Sequence, residues 1–297
     1  MKTFNDIFVP SLLDNVSFSE INTSQQLRLS KALIASDVYK KEFIQTIIHV
    51  LEENIHTKNI DIINDLNLHD VIVIFTGLHC ISESNIVKMK ITCNKCKNVH
   101  SLSIDLNKIY DKLCLVTPKE VRIDNSCIIK IPSIKKELDY INMSKNVFRN
   151  PVNRNKTQHI GLLNIWRFIE SNNIIKKSFE DIVNENEIKL KNIFDGIKQI
   201  MSIYNDVYVY KFKCVGDCNV TYNKRLSLNT TKYYNFFNYL YHRNNILSIY
   251  KDIYHLSKIG LDPQYINSIS GFERNVYWNL YGKEIEKKKN ILQSKRK

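Results

Sequence analysis

The chain has 297 residues, 43% hydrophobic and 25% charged, a globular composition with room for roughly two domains of about 100–200 residues and unlike collagen or a low-complexity tract. No apolar run reaches the ~18 residues of a membrane helix, and residues 1–10 are polar and acidic where a secretion signal would be apolar, so the protein is expected to stay in the cytosol. Forty-three Lys+Arg against 30 Asp+Glu leave a formal charge of +13, which favours nucleic acid or an acidic protein face as a partner.

Part of that charge has plainer origins. Seven Lys+Arg and two Glu fall in 283–297, the pattern of a solvated tail, and the abundance of Lys, Asn, Ile and Tyr is what an AT-rich genome favours. With only 7 Gly, no P-loop or dinucleotide-binding fingerprint is present, and nucleotide chemistry is not expected.

In chain order, 24–55 carries an apolar stripe at helical spacing through Phe43, Ile44, Ile47, Ile48, Leu51 and Ile55, and a second helical stretch covers 61–79. Residues 119–131, bracketed by Pro118 and Pro132, alternate enough to predict a strand pair. The polar stretch 144–158 around Pro151 reads as a surface loop. Helical patterns return over 160–169, where Trp166 is a core anchor, over 179–183, and at Ile193, Ile197, Ile200 and Tyr204. From Thr231 onward the chain is helical and rich in Tyr and Phe, with core packing taking most rings and the rest forming an aromatic surface suited to protein contact.

Seven cysteines punctuate this pattern. Cys80, Cys114 and Cys127 stand alone and read as small buried hydrophobes. Cys93 and Cys96 form CxxC, and Cys214 and Cys218 form CxxxC. Val87, Met89 and Ile91 alternate with polar residues before the first pair, as Tyr208, Tyr210 and Phe212 do before the second. Ile104 and Leu106 follow Cys96 at offsets of eight and ten, matched by Leu226 and Leu228 after Cys218. Each pair therefore sits at the tip of a hairpin.

A thiol pair on a tight turn supplies two corners of a tetrahedron, and two such knuckles supply four. The pattern predicts a split zinc ribbon with Cys93, Cys96, Cys214 and Cys218 as ligands and a structural zinc whose closed coordination leaves no activated water. The knuckles are separated by 117 residues where a compact ribbon has about 15–20, so an insertion lies between them. His100 is the rival ligand, but its place on the outgoing strand favours a surface histidine. A thioredoxin-like redox role would have the CxxC open a helix, and a metal-free pair of knuckles is the other alternative.

The chain resembles the baseplate hub subunits and hub-assembly proteins of T-even-type contractile-tailed phages. The likeness rests on the stretch Leu-Asn-Leu-His-Asp-Val-Ile-Val-Ile-Phe-Thr-Gly-Leu (66–78) leading into Val-Lys-Met-Lys-Ile-Thr-Cys-Asn-Lys-Cys (87–96), on residues 194–204 before the second cysteine pair, and on Leu226, Leu228, Phe236 and Phe237 after it. Further on, Ile-Tyr-Lys-Asp-Ile-Tyr-His-Leu (249–256), Gly260 and Gly-Phe-Glu-Arg (271–274) continue it, while 107–206 matches most weakly.

The resemblance implies a structural or assembly protein of the virion tail, built in the host cytoplasm, working within a larger assembly through contacts with other baseplate proteins and catalysing no reaction. A zinc-ribbon protein that binds nucleic acid is the alternative. The fold class expected is α+β, mainly helical, with two cysteine-tipped β-hairpins. Its segments are a helical region over 1–85, a first knuckle hairpin over 86–106, a mixed then helical insertion over 107–206, a second hairpin over 207–230 and an aromatic, basic helical region over 231–297.

Overall fold

The computed structural model describes residues 4–35, 41–56, 62–117, 119–125, 127–149, 156–170, 182, 187–202, 208–214, 218, 220–226, 237, 240–241 and 243–294. The described chain is mainly helical with small antiparallel sheets, as the alternation of apolar periods predicts. It opens, however, on a hairpin: β1 (Phe4–Val9) pairs with β2 (Asp14–Ser19) across a turn in which Leu13 adopts a φ of 53°. Ile7, Val9, Val16 and Phe18 are buried, a two-residue period that the long helical stripe downstream overshadows in the sequence.

Helices α1 (Thr23–Ile34), α2 (Lys41–Asn54) and α3 (Leu68–Ser82) follow. In α3 every residue from Leu68 to His79 is buried, so it is surrounded on all sides. Its start is held by a capping box: the Asn67 side chain accepts from the Asp70 backbone N–H at 3.0 Å, and the Asp70 carboxylate accepts from the Asn67 N–H at 3.0 Å. The other Asp70 oxygen accepts from the N–H of Ser11, tying the first hairpin to this helix end. Gly77 lets neighbours approach closely, since an added Cβ would lie 3.2 Å from the Tyr110 ring and 3.3 Å from Ile7. Phe237 packs edge-on against both Phe75 and Phe43, and Tyr241 against Phe75 and His79.

Helix α3 runs directly into a long hairpin of β3 (Ile86–Thr92) and β4 (Val99–Asp105), which ends in α4 (Leu106–Cys114). The N–H of Leu106 donates to the Asn85 carbonyl at 2.7 Å, closing the hairpin base, while Leu106, Ile109 and Leu113 are buried in the same core as α3.

A second core forms around a three-stranded sheet in the order β5 (Val121–Asp124), β6 (Cys127–Ile129) and β7 (Ile169–Glu170). Helices α5 (Ile134–Arg149), α6 (Lys156–Trp166) and α7 (Glu187–Ser202) enclose it, and Ile131, Tyr140 and Met201 pack against both cores. The expected strand pair over 119–131 is present. Of the expected loop over 144–158, residues 144–149 instead continue α5, because Ile134, Glu137, Ile141 and Ser144 form a buried stripe at helical spacing despite the polar composition, and 156–158 begin α6; residues 150–155 lie outside the described residues. The buried Glu137 accepts two 2.7 Å hydrogen bonds from Arg167. Trp166 is buried in this core, and residues 169–170 form a strand rather than a helix end.

The second cysteine hairpin, β8 (Tyr208–Lys213) and β9 (Thr221–Leu226), precedes α8 (Arg243–Lys258), α9 (Pro263–Ser268) and α10 (Gly271–Ser294). Of the aromatic block after Thr231, Phe237, Leu240 and Tyr241 are buried; Tyr233, Tyr234, Phe236 and Tyr239 lie outside the described residues.

Arg274 staples this C-terminal region to the body. Its guanidinium is almost fully buried and donates to Thr23 Oγ1 at 2.7 Å, Gln26 Oε1 at 3.3 Å and Asp252 Oδ2 at 3.1 Å, with Glu83 Oε1 at 3.5 Å. Burial pushes the Glu83 and Asp252 carboxyls up, and the adjacent Arg274 charge offsets part of that rise.

Arg274→Ala should cost about 2 kcal/mol at pH 7, because it takes the shared charged donor from two half-buried carboxylates. Without the guanidinium their folded-state pKa values rise further above the unfolded values, so the folded variant takes up protons more readily and its deficit against the unaltered chain shrinks as pH falls towards 4. Urea midpoints of both proteins across that range check this, and a deficit independent of pH would rule it out.

A separate acid sensitivity is expected from His69 and His79, whose pKa values burial lowers to about 4. His69 Nε2 donates to the Leu113 carbonyl at 3.0 Å, which sets the tautomer of the neutral ring and offsets part of the lowering by burial. The unfolded chain gains protons near pH 6.5 that the fold refuses until about pH 4, so stability is lost progressively across that window. Chemical denaturation at pH 7.5 and pH 4.5 measures the loss.

Candidate metal centre

The two hairpins meet at their tips. Each is an antiparallel pair, β3–β4 running from Ile86↔Asp105 to Thr92↔Val99 and β8–β9 from Tyr208↔Leu226 to Lys213↔Thr221, so each cysteine pair occupies the turn beyond the last ladder rung. In both, the first cysteine closes its turn: Cys93 N–H donates to the Asn98 carbonyl at 2.8 Å and Cys214 N–H to that of Val220 at 2.9 Å. Lys97, with a φ of 61°, reverses the first knuckle, and its N–H donates to the Cys93 carbonyl at 3.0 Å.

This arrangement brings together all four cysteines singled out by spacing. The sulfurs of Cys93, Cys96, Cys214 and Cys218 lie within 4.8 Å of one another, with Cys96–Cys214 at 3.4 Å, Cys96–Cys218 at 3.5 Å and Cys93–Cys218 at 3.6 Å. These separations far exceed a sulfur–sulfur bond of about 2.05 Å. They approach the ~3.8 Å edges of a tetrahedron whose corners lie about 2.3 Å from a central metal, the zinc–sulfur distance. The donor set therefore fits a soft or borderline cation such as zinc.

Two further residues complete the cluster, and each crosses from one hairpin to the other. His100 Nε2 lies 3.1 Å from Cys214 Sγ, and Tyr222 Oη lies 2.9 Å from Cys93 Sγ. His100 is thus not a free surface histidine: it is half-buried, and its ring nitrogen is spent on a sulfur of the opposite knuckle. Tyr222 was not among the candidates read from the sequence, although a signal was present. It follows Cys218 by four residues, as His100 follows Cys96 by four. The same offset on two similar hairpins places a polar ring against the first cysteine of the other hairpin.

The donors also settle charge. The N–H of Cys96 and then the Tyr222 hydroxyl lower the Cys93 pKa to about 5, so this sulfur is a thiolate at neutral pH, the form that ligates metal. Tyr222 is correspondingly pushed up, its proton held by the Cys93 sulfur.

The three remaining cysteines stay apart. Cys127 is fully buried in the second core, as predicted, whereas Cys80 and Cys114 are half-buried against the first. Burial raises the Cys80 thiol to about 11, which keeps it protonated and inert. The rings of Tyr208, Tyr210 and Phe212, and Leu228, lie outside the described residues.

The chain belongs to a family of phage tail proteins: residues 3–213 match the model of the T4 bacteriophage base plate protein. No curated protein and no solved structure matches it. The matched region includes Cys93 and Cys96 and stops one residue short of Cys214.

Proposed function

We propose that the protein is a structural or assembly component of the hub region of the phage tail baseplate, assembled in the host cytoplasm and braced by a structural zinc on Cys93, Cys96, Cys214 and Cys218. The observation that carries the baseplate reading is the family match over 3–213. The metal reading is supported by the convergence of four sulfurs from hairpins 117 residues apart.

The work is mechanical. Four thiolates close the coordination sphere, leave no position for an activated water, and turn metal affinity into folding free energy by pinning two remote hairpins. His100 and Tyr222 orient Cys214 and Cys93 from outside the ligand shell. Contacts with neighbouring tail proteins fall to the C-terminal region, where Tyr250, Tyr254, Tyr265, Phe272 and Trp278 are exposed on α8 to α10. Aromatic side chains of this kind are enriched in the buried centres of protein interfaces.

Quantitative mass spectrometry of purified particles tests the baseplate reading. A low, fixed copy number beside known tail proteins is expected, and a chain abundant in infected cells but missing from particles would leave only an assembly role. X-ray absorption of the purified protein should give one zinc with four sulfurs at about 2.3 Å. Cys93→Ser and Cys214→Ser should each lower zinc content and melting temperature together, and full stability in both variants would refute the shared site. Tyr222→Phe keeps all four ligands and should weaken zinc binding about tenfold, read by competition with a chelating dye.

A further inference from the structure

The hairpin that carries Cys93 and Cys96 has two chemically different faces. The ladder places Lys88 opposite Ser103, Lys90 opposite Ser101 and Thr92 opposite Val99, and directly opposed residues share a face. All six of these residues are exposed, whereas on the other face Val87, His100 and Leu102 are half-buried and Ile104 is buried. Lys95 and Lys97, both exposed, lie in the turn beyond the last rung of that ladder, and Lys213, at the end of the second hairpin's ladder, is exposed as well.

The charge balance is one-sided. Residues 86–105 hold four Lys and one acidic residue, Asp105, and 208–226 hold three Lys and one Arg against Asp217. Asp105 is engaged at the hairpin base, where it caps α4 by accepting from the Asn107 N–H at 3.1 Å and lies 4.0 Å from Lys108. Nearly half of the +13 surplus therefore sits on these two hairpins, apart from the basic tail.

We propose that the outer face of β3–β4 and its tip bind the phosphodiester backbone of nucleic acid without reading its sequence. Lysines at alternate strand positions stand about 7 Å apart on a rigid ladder, interleaved with Ser and Thr hydroxyls, and these are the side chains that contact phosphate. A protein partner is the poorer fit, because interface centres are depleted in Lys and enriched in aromatic rings. Binding gains its free energy from released counterions, so salt opposes it steeply. The inference needs only the hairpin and stands independently of where the subunit sits in the tail.

Fluorescence anisotropy of the full chain with a labelled 30-base-pair duplex and a labelled 30-nucleotide single strand tests it. Four phosphate contacts by Lys88, Lys90, Lys95 and Lys97 predict a log–log salt slope near −3.6 on duplex, roughly a hundredfold loss between 50 and 200 mM salt, and a shallower slope of about −2.8 on single strand. Lys88→Gln with Lys90→Gln should reduce the duplex slope by about 2 and leave melting temperature and zinc content unchanged. Lys287→Gln with Lys288→Gln, on the exposed C-terminal helix, should leave the slope as it is. Equal binding by a variant lacking all four hairpin lysines would overturn the proposal. So would displacement of the duplex by polyglutamate at equal charge concentration, which would assign the face to an acidic protein.

Discussion

The constraint on which the rest depends is the burial of α3. A helix with twelve consecutive buried residues has no solvent face, so the chain has to supply cover on every side. The first hairpin, α4 and the rings of Phe237 and Tyr241 each press on it, drawn from positions more than 200 residues apart. Its two ends are also spoken for. Asn67, Asp70 and Ser11 close the first, and at the other the Ser82 hydroxyl accepts from the Ile21 N–H at 2.8 Å just before Glu83 meets Arg274.

The cysteine hairpin inherits its position from that helix. Only a few residues separate Ser82 from Ile86, and the Leu106–Asn85 hydrogen bond locks the two strands between α3 and α4, so the first knuckle projects from a rigid base. The second hairpin has a sulfur-and-ring contact to match at each point: His100 reaches across one way and Tyr222 the other. This exchange makes the tip of each hairpin part of the environment of its neighbour. Each tip therefore holds a ring contact to a sulfur of the other.

Much of the site was legible because strand alternation ran in phase with the cysteines, and equal offsets after the two pairs marked two copies of one local shape. What was not legible has a common cause. His100 and Tyr222 act across hairpins, and a strand pattern states which face a residue occupies but not what stands opposite it in another element. The same holds for the buried charges. Glu137 and Arg167 are paired only by setting α5 and the end of α6 side by side, and Arg274 finds its partners on α1, α8 and the end of α3. The β1–β2 pair and the polar end of α5 were missed for a different reason: composition over a short window outweighed the period of the few residues that are buried.

Gly271 carries a last consequence. It opens α10 directly beneath the Glu83 carboxyl group, and a Cβ at this position would overlap that group. The Glu83 carboxyl group is the end of a flexible side chain, so a Cβ there would turn it aside and alter its 3.5 Å contact with Arg274, which also donates to Thr23 and Asp252. Residues 83, 271 and 274 therefore form a single compatibility unit. In a related chain, a side chain at the middle position would go with a Glu carboxyl group turned away from this helix start.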